Sequence, residues 1–179
     1  AGRLKIQTAL MSLDEQAAPV ASKRPVFWFI MAAFAFAANF MKTVEKNVLV
    51  LHSAEQMFEL VDRAEDYPQF LPWYSKTEII ERKGNELKAR LFMDYMRVQQ
   101  SFATHNHNIP GREIRMDLLE GPFKTLNGTW KFIPLGDDAC QIEFRLQYDF
   151  AGSILSALIS PVFSHLSGAL VDAFIKEAD

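Results

Sequence analysis

Apolar and polar residues alternate strictly near the C-terminal end of the chain, over residues 142–150. Large apolar side chains occupy every second position, and charged or amide side chains occupy the positions between them. A period of two residues is the pattern of an antiparallel strand with one buried face and one face in water. Gly128, Trp130 and Phe132 share one face of the preceding segment in the same way. We therefore predict two neighbouring strands whose aromatic face another element must cover.

The apolar residues between Ser153 and Lys176 recur at helical spacing and cover more than one face of the predicted helix. This helix is the element long enough to cover the strands. Gly152-Ser153 is a helix start signal, and we predict Ser153 as the N-cap. We also expect Pro161 to kink or divide the helix, because proline removes a backbone donor and clashes with the preceding turn.

The middle of the chain predicts the remaining strands and one or two short helices. A strand from Val44 to Leu51 comes first, and Ser53 and Gln56 then have the spacing of a capping box. Two prolines bracket segment 67–72, which predicts a helical turn or a tight loop. Further strands are predicted at 78–83, 87–96, 98–107 and 112–119. Strands followed by a long helix are typical of the α+β class.

Composition and charge narrow the class further. The 179 residues are enough for one domain, and 15 phenylalanines favour a cavity wall, although an ordinary core has the same composition. Cys140 is the single cysteine, so no intrachain disulfide can form, which is compatible with a reducing compartment. Residues 1–40 carry a net charge of +2. Because the whole chain has a net charge of −3, residues 41–179 carry a net charge of −5. An acidic domain is a poor polyanion binder, so we expect no DNA partner.

The first forty residues do not follow the pattern of the rest. Lys23-Arg24 precedes a short apolar run at 26–38, and a basic flank before such a run is similar to a secretory signal. The run is shorter than the roughly 20 residues that a spanning helix needs. We expect residues 1–40 to be an N-terminal extension outside the fold, either a targeting or membrane-anchoring segment or sequence upstream of Met41. Residues 41–179 are then the folded domain.

Four motifs, together with the order of elements, give the chain a family resemblance. They are Tyr67-Pro68-Gln69-Phe70-Leu71-Pro72, Glu120-Gly121-Pro122-Phe123, Gly128-Thr129-Trp130-Lys131-Phe132 and Cys140-Gln141-Ile142-Glu143-Phe144. The chain from Met41 onwards resembles the START-like superfamily of helix-grip proteins, in the coenzyme Q-binding and polyketide cyclase branch. Within that branch it is most similar to the bacterial ribosome association toxin (RatA) group. The resemblance implies a helix-grip fold: a curved antiparallel sheet of about six or seven strands around a long C-terminal helix, with short helices after the first strand.

The resemblance implies three functions. The first is non-catalytic binding of an isoprenoid quinone (ubiquinone) or a similar lipid between sheet and helix, in support of respiration and with no other cofactor required. The alternative is a toxin that binds the large ribosomal subunit and blocks subunit joining. The third is an aromatic polyketide cyclase, which needs an acid or base inside the cavity. The inward positions are mostly apolar, so we expect no enzyme activity and predict no catalytic residue. The expected location is the cytoplasm, with peripheral contact at the inner membrane.

Candidate ligand contacts follow from this hypothesis, although for each residue taken singly core packing is the more common explanation. The predicted mouth is Phe70, Leu71 and Trp73, and the predicted interior is Tyr95, Phe102, Phe123, Trp130, Phe163, Leu166 and Leu170. We expect His165, on the long helix, to donate a hydrogen bond to a ligand carbonyl.

Two further groups of polar residues are candidates for surface functions. Four cations on the predicted hairpin either contact ribosomal RNA or anionic lipid, or protect a solvated sheet edge from aggregation: Arg82, Lys83, Lys88 and Arg90. His105 and His107 point the same way from one strand, as two ligands of a metal would. No third ligand is evident nearby in the sequence, so no metal site is predicted.

Overall fold

The computed structural model describes residues 41–179, and the predicted N-terminal extension lies outside the described residues. The elements are β1 (Lys42–Val50), α1 (Ala54–Asp62), a 3-10 turn (Ala64–Asp66), α2 (Tyr67–Phe70), β2 (Tyr74–Lys83), β3 (Glu86–Tyr95), β4 (Val98–Ile109), β5 (Glu113–Glu120), β6 (Phe123–Pro134), β7 (Cys140–Phe150) and α3 (Ser153–Ala178). This order confirms the predicted α+β fold, with one strand, short helices, six strands and a long helix.

The strands form one seven-stranded antiparallel sheet in the order β1-β7-β6-β5-β4-β3-β2. Strands β2 to β7 follow one another as hairpins, and β1 pairs with β7 at the far edge. The register is interrupted in three strand pairs, which are β2–β3, β4–β5 and β6–β7. Such bulges bend a strand and increase its twist, and they contribute to the curvature with which the sheet surrounds α3.

Helix α3 lies against the concave face of the sheet and completes the core. Trp130 and Phe144 are buried on the sheet side, and Phe163, Leu166 and Phe174 are buried on the helix side. The rings of Trp130 and Phe174 meet edge to face, with centroids 5.4 Å apart. Within the part of the chain that the structure describes, α3 is the one helix long and apolar enough to cross a membrane. The inner face of α3 is buried against the sheet, and a core helix that does not cross a membrane is buried in the same way.

The structure corrects two predictions about α3. The N-cap is Gly152, with a φ of 100°, and no side chain caps the helix, so the prediction of Ser153 as N-cap is wrong. Pro161 was predicted to kink or divide α3; it lies inside one continuous helix, so the division is wrong and the kink stays a prediction. Pro161 is on the exposed face, where water can satisfy the backbone carbonyl that proline leaves without a donor.

Helix α1 begins at the predicted capping box. The backbone N–H of Gln56 donates to Ser53 Oγ at 3.1 Å, and the backbone N–H of Ser53 donates to Gln56 Oε1 at 3.0 Å. The inner face of α1 packs on the sheet, where the rings of Phe58 and Phe132 lie 5.9 Å apart. The helix therefore closes the part of the groove that α3 leaves uncovered.

Candidate ligand-binding cavity

A cavity lies between the concave face of the sheet and α3. It encloses about 760 Å³ of space between atoms, counting the part that opens to solvent at its mouth. The wall is mainly apolar and comes from β3, β4, β5, β6, β7 and α3, with Tyr67, Trp73 and Tyr74 from the segment around α2. Little of the space is wide enough to hold the centre of a water molecule. The cavity is therefore narrow, and a bulky ligand requires its walls to move apart.

The structure brings six of the predicted ligand contacts together on this wall: Trp73, Phe102, Trp130, Phe163, Leu166 and Leu170. Alternation in the strands placed Phe102 and Trp130 there, and helical spacing placed Phe163, Leu166 and Leu170. Their contact with a ligand remains a prediction, because core packing alone also buries them.

Four other predicted contacts lie outside the wall. Leu71 is completely buried and its backbone closes two turns, so it is not part of a mouth. Phe70 packs on Phe174, with ring centroids 5.3 Å apart. Phe123 lies behind the wall, where it packs on Phe150. Tyr95 is half-buried at the end of β3. These side chains support the cavity from outside it.

His165 does not reach the cavity, because it is exposed. Successive residues of an α-helix are turned by about 100° from one another. The cavity-facing arc of α3 contains Phe163, Leu166, Ser167 and Leu170, and His165 falls outside that arc. The predicted hydrogen bond from His165 to a ligand carbonyl is therefore wrong.

Polar atoms of β4 reach the cavity where the sequence prediction had none. Thr104 and Asn106 line the wall and are only 4% and 8% exposed. The Asn106 Oδ1 atom is inaccessible to water and has no hydrogen-bond partner among residues 41–179. A buried carbonyl oxygen without a partner costs about 1–3 kcal/mol. Both residues share the parity of Phe102 along β4, and this is the sequence signal that could have found them.

The cavity wall carries no charge at neutral pH. Its ionisable residues are Tyr67 and Tyr74, among the residues that the structure describes. Burial raises the pKa of both phenols well above the ordinary value, and for Tyr67 the neighbouring Tyr74 and Asp62 raise the pKa further. The Tyr67 hydroxyl donates to the carbonyl of Val61 at 2.6 Å. The arrangement suits an uncharged, largely apolar ligand with one polar group.

The predicted basic hairpin is not a single patch. Arg82 pairs with Leu87 across the hairpin, so it lies on the inner face of the sheet, where it contacts Asp62 at 2.6 Å. On the outer face, Lys88 donates to Glu81 at 2.6 Å and thereby lowers the pKa of that carboxyl.

The other two cations of the hairpin also lie on the outer face. Arg90 is ion-paired with Glu120. Lys83 has no ion pair with any of the described residues. Three of the four predicted cations, Arg82, Lys88 and Arg90, are thus balanced by carboxylates, which leaves little net positive charge.

A curved sheet that grips a helix around an apolar cavity defines the START-like class. Solved structures show this fold: the Zhui aromatase/cyclase from Streptomyces sp. R1128 has a TM-score of 0.68 at 21% identity and covers 77% of this chain and 93% of its own. A START superfamily protein from Mycobacterium smegmatis has a TM-score of 0.61 at 23% identity, over 75% of this chain and 92% of its own. At these identities the likeness shows the fold alone.

The family follows from the sequence. Residues 50–175 match the family model for "Polyketide cyclase / dehydrase and lipid transport", and the chain belongs to this family. This confirms the predicted resemblance.

The relatives include ribosome association toxins and a coenzyme Q-binding protein. The ribosome association toxin RatA of Pseudomonas aeruginosa is 36% identical over 135 residues, which is 75% of this chain and 94% of the relative. RatA of Vibrio cholerae is 38% identical over 138 residues, 77% of this chain and 96% of the relative. The mitochondrial coenzyme Q-binding protein COQ10 homolog B of Xenopus laevis is 27% identical over 130 residues, 70% of this chain and 53% of the relative. None of these names denotes an enzyme, although the solved neighbours include a cyclase.

Proposed function

We propose that this protein binds an isoprenoid quinone such as ubiquinone, or a similar lipid, in the cavity between the sheet and α3, without transforming it. The observation that carries the proposal is an uncharged, mainly apolar cavity with a buried carbonyl oxygen on its wall, Asn106 Oδ1, that has no partner within the part of the chain that the structure describes. A relative named as a coenzyme Q-binding protein supports the choice of a quinone.

The apolar wall supplies the binding energy. Each Å² of apolar ligand surface removed from water contributes about 25 cal/mol, so a chain of isoprene units gains affinity with every unit that enters. A thin isoprenoid chain suits a narrow cavity better than a fused ring system does. Met93 and Met116 lie on the wall, and their unbranched side chains can move aside to admit a ligand.

Asn106 supplies the polar contact. An amide side chain offers both an acceptor oxygen and donor N–H groups. It can accept a hydrogen bond from a quinol hydroxyl or donate one to a quinone carbonyl, so both redox forms of the head group find a partner. Of the described residues, none on the wall is charged or near its pKa at neutral pH, so these side chains offer no acid or base to move a proton.

The direct test is to purify the full chain from a quinone-producing host, extract it with organic solvent and analyse the extract by mass spectrometry. We expect an isoprenoid quinone or another lipid in stoichiometric amount. An extract without any such molecule, from protein that is folded and homogeneous, would contradict the proposal.

Replacing Asn106 with leucine should separate stability from binding. The two side chains have the same number and branching of heavy atoms, so Asn106→Leu removes the unpaired oxygen and leaves no cavity, and we expect the ligand-free protein to gain about 1 kcal/mol in its free energy of unfolding. Loss of the hydrogen bond should weaken binding of a short-chain ubiquinone about tenfold, since about 1.4 kcal/mol is tenfold in affinity. Denaturant unfolding measures the first effect, and quenching of the cavity tryptophans Trp73 and Trp130 measures the second.

The matched control is Asn127→Leu, because Asn127 lies on the exposed face of β6. It should change neither the quinone affinity nor, by more than about 0.5 kcal/mol, the stability. Full affinity in Asn106→Leu, together with raised stability, would show that Asn106 is an unpaired core residue and not a ligand contact.

A second candidate function is association with the large ribosomal subunit. It is favoured by the relatives named RatA, which are 36% and 38% identical and are matched over 94% and 96% of their length. The outer face of the β2–β3 hairpin, with Lys83, Lys88 and Arg90, is the proposed contact with ribosomal RNA. Binding there would act sterically, by occupying the surface on which the subunits join.

Both candidates fit a location in the cytoplasm. Exchange of a quinone additionally requires contact with the inner membrane. Ile154 and Leu158, near the start of α3, are 78% and 68% exposed and give an apolar surface for such peripheral contact.

Charge reversal tests the ribosomal contact. The variant Lys83→Glu/Lys88→Glu/Arg90→Glu should co-sediment less with large subunits, and its binding should depend less on salt, because each lost phosphate contact lowers the salt slope by about 0.7–0.9. The control Lys124→Glu/Lys131→Glu reverses two exposed lysines of β6 instead. Equal losses in both variants would indicate general electrostatic attraction, and unchanged sedimentation of the first variant would exclude the hairpin.

A further inference from the structure

Two histidines and a carboxylate meet on the outer face of the sheet, opposite to the face that lines the cavity. His105 and His107 stand two residues apart on β4, and Glu86 of β3 lies directly opposite His107. His105 Nε2 is 3.3 Å from Glu86 Oε2, and His107 Nδ1 is 3.7 Å from Glu86 Oε1. One ligand atom from each residue lies within 4.8 Å of the other two. The register of the sheet thus supplies the third ligand that the linear sequence did not reveal.

We propose that Glu86, His105 and His107 form a binding site for a late first-row divalent metal ion, with zinc as the test ion. Two imidazole nitrogens and one carboxylate are a ligand set that leaves coordination positions open for water or an external ligand. Ligands bonded to zinc at about 2.0–2.2 Å lie roughly 3.3–3.5 Å apart in a tetrahedral arrangement. The two distances from the histidines to the carboxylate, 3.3 and 3.7 Å, are close to this, and all three ligand atoms lie within 4.8 Å of one another, so side-chain rotation can bring the atoms into place.

The backbone beneath the site is fixed by hydrogen bonds. Strands β3 and β4 pair without interruption from Glu86↔His107 to Tyr95↔Val98. The pairing continues beyond Glu86, where the Asn108 N–H donates to the Asn85 carbonyl at 2.8 Å. Ligands on rigid strands hold their geometry better than ligands on loops. The metal would therefore bind to a preformed face and would not need to order a segment.

The charges around the site are largely paired with one another. Lys88, opposite His105, donates to Glu81 at 2.6 Å. On the other side, Arg115 lies opposite His107 and is ion-paired with Glu113. Asp117 of β5 lies opposite His105 and adds a negative charge.

Lys83 is the cation that opposes metal binding most directly. It lies opposite Glu86 on β2 and has no ion pair with any described residue. Its positive charge repels a divalent ion and attracts the Glu86 carboxylate. Removing that charge should therefore raise the affinity of the site for the metal ion. This is the opposite of the effect expected when a metal ligand is removed.

The chain offers little competition for the ion. It contains four histidines and one cysteine, and Cys140 is fully buried. His52 contacts Asp179 at 2.8 Å, and His165 is exposed on α3. These two histidines lie outside the cluster. Any zinc that they bind must be distinguished from zinc bound at the proposed site.

The test is a calorimetric titration of the chelator-treated full chain with Zn²⁺, with the imidazole resonances followed by NMR. We expect one saturable ion per chain and shifts at His105 and His107. Glu86→Gln and His107→Ala should each weaken binding about tenfold or more, because even residues behind metal ligands contribute about 10–100-fold. Lys83→Gln should tighten binding, and His165→Ala should leave it unchanged.

The variants change exposed or half-buried side chains, so circular dichroism should show the native fold for each. Unchanged affinity in Glu86→Gln and His107→Ala would overturn the proposal. So would zinc-induced shifts confined to His52 or His165. Neither result would affect the proposed quinone site, because His105 and His107 point away from the cavity that Asn106 lines.

Discussion

Replacing Gly121 with alanine is expected to destabilise the protein by roughly 3 kcal/mol or more, from backbone strain and steric overlap together. Gly121 has a φ of +145°, a conformation that side chains rarely permit. A Cβ atom built there would lie 2.6 Å from Phe102 Cβ and 3.1 Å from Phe102 Cα. Phe102 cannot yield easily, because its ring packs against Phe123 and Phe163. Denaturant unfolding measures the loss.

Gly136→Ala is the matched control. Gly136 has a φ of +149°, nearly that of Gly121, but nothing lies within 4 Å of the position that its Cβ would take. The control therefore reports backbone strain alone, which is about 1–3 kcal/mol. Equal losses in the two variants would show that the contact with Phe102 contributes nothing. A larger loss at Gly121 would show that the turn before β6 approaches Phe102 too closely to admit a side chain.

The order of elements could be predicted because most strands bury only one face. In β7, every second residue from Ile142 to Phe150 is buried, as the alternation predicted. The same parity in β4 buries Phe102 and Asn106 and turns His105 outward. Local patterns of period two and 3.6 residues thus predicted most of the fold and five of the six wall residues, whereas Trp73, which precedes β2, came from the hypothesis of a cavity mouth.

Relations between strands could not be predicted, because they depend on register. Strict alternation from Ile79 would place Arg82 on the outer face with Lys88. A register shift between Ile79 and Glu81 reverses the parity and turns Arg82 inward to Asp62. Glu86 likewise joins His107 only through cross-strand pairing. His165 is a different case: because Phe163, Leu166 and Leu170 were predicted to face the cavity, the helical spacing of the sequence could already have excluded His165 from that face.

Replacing Leu166 with tryptophan is expected to abolish binding in the cavity while leaving the protein folded. Leu166 is buried on α3 and faces the narrow space. An indole ring there would occupy the room of the ligand, and we expect affinity for a short-chain ubiquinone to fall about a hundredfold or more, which corresponds to roughly 3 kcal/mol. Overpacking should cost about 1–3 kcal/mol of stability. Equilibrium dialysis and mass spectrometry of the extracted protein measure the ligand without relying on tryptophan fluorescence.

The control is His165→Trp, one residue earlier on the exposed face of α3, which adds the same ring outside the cavity. It should keep its ligand, and Leu166→Trp should lose it. Quinone retained by a folded Leu166→Trp variant would place the ligand elsewhere and contradict the cavity proposal.

The same pair of variants also relates the two candidate functions. If Leu166→Trp still co-sediments with large ribosomal subunits, the surface acts independently of the cavity. If ribosome binding is lost with the ligand, while His165→Trp keeps both, the occupied cavity must control the surface, since Leu166 is buried and cannot contact a ribosome itself.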